Sequence, residues 1–272
     1  MTVIQSILLG VIQGLTEFLP ISSSGHLVIV PFLLKWDIPP AEAFVFDVLV
    51  QVATLVAVIA FFWKDYYVIL GGVLRGIQHR KPFETQPARM GWYILLSTIP
   101  AGIAGLLLKD VVERAFASPR MTAVALLGTA LLLVIAERVG KRERELEKIT
   151  WLDALIIGIF QILALFPGLS RSGSTIAGGM TRNLERPAAA RFAFLMAVPI
   201  MLVAGLMAVI DLLQIQDLGL LLPVFIPGFI AAAVVGYLAI GWLLSFLTRY
   251  SLYFFAVYCA IVGLIVLLIT FI

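Results

Sequence analysis

The sequence is poor in charge. Only 13% of its 272 residues are Asp, Glu, Lys or Arg, whereas 62% are hydrophobic, and the mean hydropathy is +1.08. Soluble globular domains carry about a quarter charged residues, so this composition excludes an ordinary soluble enzyme and indicates a chain whose solvent is mostly lipid. The formal net charge of +3 does not indicate nucleic-acid binding, because a basic excess in a membrane protein usually marks cytoplasmic loops.

The chain is also poor in cysteine and in charge near its start. Its one cysteine, Cys259, lies in an apolar run, which excludes a disulfide framework and a thiolate metal cluster. The first charged residue is Glu17. The N-terminus therefore lacks the basic region of a signal peptide, and we expect it to belong to the mature protein.

Long charge-free runs dominate the sequence. A membrane-spanning helix needs about 20 apolar residues, and six runs reach or nearly reach that length. These six predicted spans are residues 48–63, 91–108, 121–136, 192–210, 218–248 and 250–272. Two further apolar stretches, 1–34 and 152–182, are broken by Pro, Gly and Ser. Such breaks at membrane depth must be buried in protein or line a wet cavity, so we predict two re-entrant helix-loop-helix hairpins.

Basic residues are unequally distributed over the loops of this topology. Of the 19 Lys and Arg residues, 14 fall on one side, in the loops at 64–90, 137–148, 182–191 and 249. Four fall on the other side, in the loops at 35–47, 109–120 and 211–217, and Arg171 lies within the second hairpin. The positive-inside rule places the first set in the cytoplasm, so we expect a multi-pass protein with both termini outside.

The chain resembles itself at an offset of 148 residues. Residues 10–25 align with residues 158–173 without a gap, and seven positions are identical: Gly10 and Gly158, Gln13 and Gln161, Leu15 and Leu163, Phe18 and Phe166, Ser22 and Ser170, Ser24 and Ser172, Gly25 and Gly173. Each half holds one hairpin and three spans, and since three is odd the second half is upside down. We therefore predict a single membrane domain, 1–272, made of inverted repeats 1–150 and 151–272, with a binding site near the midplane where the breaks converge.

The first break places Glu17 close to polar residues. Gln13 and Glu17 are four residues apart, so on a helix they share a face on which they could hold a ligand or a metal. A carboxylate at membrane depth faces a cavity or a partner rather than lipid, and the alternative is that Glu17 only pairs with Arg171 to hold the hairpins together. His26 beside three serines favours proton transfer or phosphoryl chemistry, although a lone His in an apolar run is more often a buried structural residue.

The second break, Pro167 to Thr175, contains four hydroxyls, two glycines and Arg171. At the start of a short helix this set is typical of an anion cradle, because free backbone N–H groups and a guanidinium both bind phosphate. Helix capping and close packing also explain the small residues, but they do not explain a buried Arg. The two breaks together predict phosphoryl transfer on a lipid-borne phosphate whose apolar tail stays in the bilayer.

Two motifs resemble those of the BacA-type undecaprenyl pyrophosphate phosphatases of bacteria. Gln13 to His26 is similar to EGLTEFLPxSSxGH and Pro167 to Thr175 to PGxSRSGxT, and the resemblance covers essentially the whole chain. It implies an all-α plasma (inner) membrane protein with six transmembrane helices and two re-entrant hairpins, whose site opens to the outer face. It also implies hydrolysis of a polyprenyl pyrophosphate lipid, undecaprenyl pyrophosphate, to undecaprenyl phosphate and inorganic phosphate, which recycles the lipid carrier of cell-wall synthesis and gives bacitracin resistance. A homodimer is left open.

Carried over by motif position, the resemblance implies four catalytic residues. Arg171 would hold the diphosphate, Ser23 would be the nucleophile, and His26 would be the base or the leaving-group acid, with attack by His26 or by water left open. Glu17 would orient His26 or bind Mg²⁺ or Ca²⁺ together with Gln13. The remaining polar groups would bind phosphate oxygens: Gln13, Ser22, Ser24, Ser170, Ser172 and Thr175. Gln13 stands where the family usually has Glu, which leaves one carboxylate for a metal instead of two.

The main alternative is a transporter or flippase of lipid phosphates, because inverted repeats with broken helices form many carriers. Ser23 and His26 next to Arg171 favour an enzyme, since transport alone does not require them. A structural scaffold leaves these polar residues unexplained.

Overall fold

The structure is a computed structural model that describes residues 1–108, 111–112, 118–212 and 218–271. In these ranges the chain forms helices, with one isolated parallel bridge between Arg144 and Leu184 and no strand. The α-helices are α1 (Val3–Phe18), α2 (Ser23–Leu34), α3 (Pro40–Phe61), α4 (Trp63–Gln78), α5 (Gln86–Leu107), α6 (Pro119–Val139), α7 (Trp151–Gln161), α8 (Arg171–Thr181), α9 (Arg186–Leu212), α10 (Leu218–Leu247) and α11 (Tyr253–Ile269). The all-α prediction is confirmed.

Five helices are long and apolar enough to cross a membrane: α3, α5, α6, and the parts Arg186–Ile210 of α9 and Leu221–Leu247 of α10. The sixth predicted span, 250–272, forms α11, whose 17 residues lie at the short end of the usual range. Helix α3 starts eight residues before the predicted run, because Pro40 takes the first helical position, where proline is well tolerated. The chain is thus an integral membrane protein built from helices.

The prediction for residues 64–90 was wrong in one respect, since this charged segment is not only a loop. It contains most of α4, which crosses the start of α5 where Gly72 contacts Pro87 and Ala88. Its charges interrupt the apolar run and so hide the helix from a search for charge-free segments. The predicted loops at 109–120 and 211–217 lie largely outside the described residues.

Both broken stretches fold back as helix-loop-helix hairpins, the shape that a re-entrant segment requires. In the second hairpin the residue after α8, Arg182, donates from Nε to Oδ1 of Asp153 in the first turn of α7, at 2.8 Å. The two ends of this hairpin therefore meet on one side of the molecule. In the first hairpin, the N-terminal amine of Met1 before α1 pairs with Glu42 in the first turn of α3, the helix that follows α2, so these ends also lie together.

Helix packing fixes the position of the breaks, here called elbow 1 (residues 19–22) and elbow 2 (residues 162–170). Helix α1 packs against α10, α7 against α5, and α6 against both α8 and α11. At the last residue of α1 the buried ring of Phe18 meets Phe194 of α9 edge-on, with ring centroids 5.5 Å apart. This contact holds the neighbouring Glu17 at the junction of the two hairpins.

Candidate active site

The two elbows are in direct contact. The backbone N–H of Gly168 in elbow 2 donates to Oγ of Ser22 in elbow 1 at 3.1 Å, and Oγ of Ser172 donates to the carbonyl of Leu19 at 2.9 Å. Residues 146 or more apart in the chain are thus joined through one buried and one partly buried hydrogen bond, and such bonds are expensive to break because they leave polar groups unsatisfied.

Elbow 1 contains a strained residue. Ser22 has a φ of 69°, in the left-handed region that non-glycine residues rarely adopt. Its Oγ also accepts from the N–H of Gly25 at 3.3 Å, and its carbonyl lies 2.7 Å from Nδ1 of His26. These contacts hold the turn in a conformation that local preferences disfavour, as often happens at functional sites.

A cavity of about 350 Å³ lies between the two elbows and helices α3, α5 and α9. Its polar lining includes six of the predicted site residues: Glu17, Ser22, Ser23, Ser24, Ser170 and Arg171. The rest of its wall is largely apolar, with Ala101, Ala164, Leu165, Leu169, Ile200, Met201 and Ala204. The combination of an apolar wall and a few convergent polar groups is typical of a small-molecule site.

Two helix N-termini point their first residues at this cavity. Ser22 caps α2 and Ser170 caps α8, where its Oγ accepts from the N–H of Gly173 at 3.1 Å. Each helix N-terminus carries about half a positive charge. Only the second was predicted as an anion cradle, and the structure adds the first in the lining of the same cavity.

Glu17 is the centre of the hydrogen-bond network in the cavity. Its Oε1 accepts from Nη2 of Arg171 at 2.7 Å, and its Oε2 accepts from Nε2 of Gln13 at 3.0 Å and from Oγ of Ser23. The side chains of Glu17 and Arg171 are 10% and 19% exposed, so the pair faces the cavity instead of being sealed in protein. The carboxylate therefore contacts both the predicted nucleophile and the predicted phosphate ligand.

His26 lies outside the cavity lining, whereas Ser23, beside which it was predicted to act, is part of that lining. A carbonyl oxygen only accepts, so Nδ1 must donate to Ser22, and in the neutral ring Nε2 then accepts from the hydroxyl of Tyr258 at 2.8 Å. With both ring nitrogens engaged, His26 supports elbow 1 and does not contact Ser23 through a hydrogen bond. Tyr258 is 232 residues away in sequence, and no pattern connected them.

Three more predicted ligands do not line the cavity. The hydroxyl of Ser172 is directed to elbow 1, and that of Thr175 donates back to the carbonyl of Arg171 at 2.8 Å. Gln13 is buried behind Glu17 and contacts it without reaching the lining. The side chains of these three residues bond other protein groups and support the site from outside the cavity.

The cavity also contains polar residues that were not predicted: Thr16, Gln51 and Gln161. Gln161 is the repeat partner of Gln13, and that alignment was a usable signal. Gln51 lies within an apolar run of α3, and nothing in its sequence surroundings marked it.

The donor set does not fit a resident Ca²⁺, and it offers Mg²⁺ a single carboxylate. No group of three or more His, Cys, Asp or Glu side chains comes together in the part of the chain that the structure covers. The one carboxylate at the site, Glu17, already bonds the guanidinium of Arg171, which would repel a cation placed beside it. Ca²⁺ usually binds many oxygen ligands, of which Glu17 and Oε1 of Gln13 offer few, whereas Mg²⁺ is often held by one or two carboxylates together with substrate phosphates and water.

The fold and the cavity define a class: a helical membrane protein with an anion-binding site between two broken helices. Residues 6–265 match the family described as bacitracin resistance protein BacA, and the chain belongs to this family. It is 44% identical to the undecaprenyl-diphosphatase of Chlorobium phaeovibrioides over 98% of this chain and 97% of the relative. It is 41% identical to that of Thermomicrobium roseum (99% and 98%) and 39% identical to that of Myxococcus xanthus (98% and 89%). These names support an enzyme and give no support to a flippase.

Proposed function

We propose that this protein hydrolyses undecaprenyl diphosphate to undecaprenyl phosphate and inorganic phosphate. One observation carries the proposal: a serine, a carboxylate and an arginine, which are Ser23, Glu17 and Arg171, form one hydrogen-bonded chain on the wall of an intramembrane cavity. The names of the relatives supply the substrate, and the apolar part of the wall fits a phosphate carried on a lipid.

Arg171 and the two helix N-termini bind the diphosphate. Oε1 of Glu17 lies 2.7 Å from Nη2 of Arg171. This contact orients the guanidinium, and the pair as a whole carries no net charge. A guanidinium has five N–H donors, and its bonds to Glu17 and to the carbonyl of Ala197 leave others for phosphate oxygens. Fixed donors aimed at a phosphoryl group stabilise the charge of its transition state.

Ser23 attacks the terminal phosphorus. Its Oγ forms the new P–O bond, its proton passes to Oε2 of Glu17, and the bond to the bridging oxygen breaks so that undecaprenyl phosphate leaves. Water then attacks the phosphoserine, the Ser23 oxygen leaves with the proton held by Glu17, and inorganic phosphate departs with the atoms of the water. Glu17 thus takes the role of base that the sequence suggested for His26, because Glu17 bonds Ser23 and His26 does not.

Phosphate release from the purified full-length protein in detergent tests the activity. We expect equal amounts of inorganic phosphate and undecaprenyl phosphate from undecaprenyl diphosphate, and no release from undecaprenyl phosphate as a control substrate. A protein that releases no more phosphate than a heat-inactivated sample would contradict the proposed function.

We also propose that the protein lies in the plasma membrane with both termini and the cavity mouth outside. The asymmetry of 14 against four basic residues supports this orientation. A cysteine at position 80, introduced as Arg80→Cys in a Cys259→Ala background, tests it in intact cells. We expect labelling by an impermeant maleimide only after permeabilisation, and labelling of intact cells would reverse the orientation.

A further proposal is that the two halves are inverted repeats. Its support is a pair of equivalent close approaches between helix backbones. A Cβ added at Gly10 of α1 would lie 2.2 Å from the carbonyl oxygen of Gly228 in α10. A Cβ added at Gly158 of α7 would lie 2.4 Å from the carbonyl oxygen of Ser97 in α5. Residues 10 and 158 differ by the repeat offset of 148. We expect Gly10→Leu and Gly158→Leu to impair folding to a similar degree, as judged by recovery in size-exclusion chromatography.

A further inference from the structure

Gln161 carries a buried side-chain amide in the wall of the cavity between the two elbows. It is the last residue of α7 and is 2% exposed. Neither its Nε2 nor its Oε1 has a hydrogen-bond partner among the described residues. Nearly all buried polar side chains in proteins are hydrogen-bonded, and each exception calls for an explanation such as a ligand or a water.

The repeat explains why this amide lacks a partner. The equivalent residue Gln13 donates to Glu17, four residues further along the helix. The residue four places after Gln161 is Leu165, which offers no acceptor. The two glutamines therefore differ at Nε2, which donates to a side chain of the same helix in Gln13 and has no partner among the described residues in Gln161, while Oε1 of both is without a described partner.

The chemistry of the amide suits the ligand of this cavity. A primary amide supplies a donor and an acceptor without charge, so it binds a phosphate oxygen through Nε2 without competing with the Glu17–Arg171 pair. Gln161 belongs to the same cavity wall as Ser170 and Arg171 of the anion cradle. An apolar residue would fit this position better if the wall had only to hold a lipid chain.

We propose that Gln161 binds the phosphate group that Ser23 attacks. The inference rests on the proposed function, since it requires a phosphate in the cavity. The rival is a buried structural water shared with Ser174, another hydroxyl without a partner in the described chain. Ser174 lies one turn before Gly178, which packs against Ile157 and Phe160 of α7, so both polar groups are on the inside of this hairpin.

Two substitutions separate these explanations in the purified full-length protein. Gln161→Met keeps the length of the side chain and removes the amide, whereas Gln161→Glu keeps its size and polarity and adds a charge. Loss of a hydrogen bond to a charged group raises KM by about tenfold or more. We therefore expect Gln161→Met to raise both KM and the inhibition constant of inorganic phosphate by that factor, and Gln161→Glu to raise both further by repulsion.

Ser6→Ala is the matched control, because Oγ of Ser6 is also buried without a described partner but lies outside the cavity lining. We expect this variant to keep the wild-type KM and phosphate inhibition. A folded Gln161→Glu or Gln161→Met variant with both constants within twofold of wild type would overturn the inference in favour of the structural water. Failure of the proposed function would differ, since the wild type itself would then release no phosphate.

Discussion

Ion pairs hold the second hairpin at its open end and at its elbow, where the carboxylate comes from Glu17 of the first hairpin, and the two ends are built differently. At its open end the fully buried carboxylate of Asp153 accepts from Arg144 at 2.7 and 3.2 Å and from Arg182 at 2.8 Å, with two more bonds from Thr150. At the elbow, Glu17 has a single arginine, Arg171, and both side chains reach the cavity.

Glu137 lies close to this open end and, like Asp153, is a buried carboxylate bound by two arginines. It is 4% exposed and accepts from Arg142, from Arg186 and from the backbone N–H of Leu252. A carboxylate has about four lone-pair sites, so one that is bound by two arginines and further N–H or O–H donors has none left for a ligand. The difference shows which charges are available for chemistry. The carboxylates of Asp153 and Glu137 join helices at the open end, whereas the Glu17–Arg171 pair at the elbow keeps N–H donors of the guanidinium that can bind a phosphate.

Arg171→Ala gives the largest expected effect. It removes the cation that faces the diphosphate, and a single arginine of this kind contributes about 10³-fold or more to phosphoryl transfer. We expect kcat/KM to fall by that factor in a protein that still elutes as wild type in size-exclusion chromatography. If the folded variant kept a turnover within tenfold of wild type, the assignment of Arg171 to the active site would be wrong.

Ser23→Ala is expected to cost less than Arg171→Ala but at least tenfold in kcat, because covalent catalysis is lost while the anion cradle remains. Single-turnover phosphate release measures this directly. A variant that keeps more than a tenth of the wild-type rate would favour direct attack by water, with Glu17 as its base.

Asp153→Asn differs from the two substitutions above, because we expect it to lower the stability of the protein more than its catalytic rate. Removing one partner of a buried ion-pair network leaves uncompensated charge and costs about 3–5 kcal/mol. We expect a clearly lower thermal unfolding midpoint in detergent, with kcat of the folded fraction within about threefold of wild type, since Asp153 does not line the cavity. Loss of kcat without loss of stability would contradict the division between the two ends.

Gln13→Glu is expected to give the smallest effect, and to change the response of the activity to Mg²⁺ more than the rate itself. A second carboxylate beside Glu17 raises the local negative charge and creates a pair of oxygen ligands that suits a divalent cation. A Mg²⁺ titration of wild type and variant in chelator-treated buffer measures this. We expect the variant to be stimulated more strongly than wild type, and identical titration curves would show that position 13 does not govern metal response.

Much of this arrangement could be predicted from the sequence, because charge is scarce. Pro20 and Pro167 with their neighbouring serines marked both breaks, and Glu17 and Arg171 had few partners other than each other. Their contact at 2.7 Å follows from that scarcity. The positions of the elbows were therefore fixed by local chemistry that is visible in the chain.

Other features depended on tertiary contacts that local sequence does not encode. The hydrogen bond from Tyr258 to His26 joins α11 to α2, and it engages the ring nitrogen of His26 that does not face Ser22. Helix α4 was hidden because Lys64 and Asp65 interrupt its apolar pattern. Gln161 became significant only when the structure showed that its amide has no described partner.

The double variant Glu17→Gln/Arg171→Gln tests most directly whether the elbow pair is a site or only a fastening. It removes both charges together, so neither is left buried without its counter-ion, and the amides keep hydrogen-bonding capacity between the hairpins. We predict a folded protein that releases phosphate from undecaprenyl diphosphate at least about 10³-fold more slowly than wild type. A double variant with wild-type turnover would show that the pair only joins the hairpins and that the chemistry lies elsewhere.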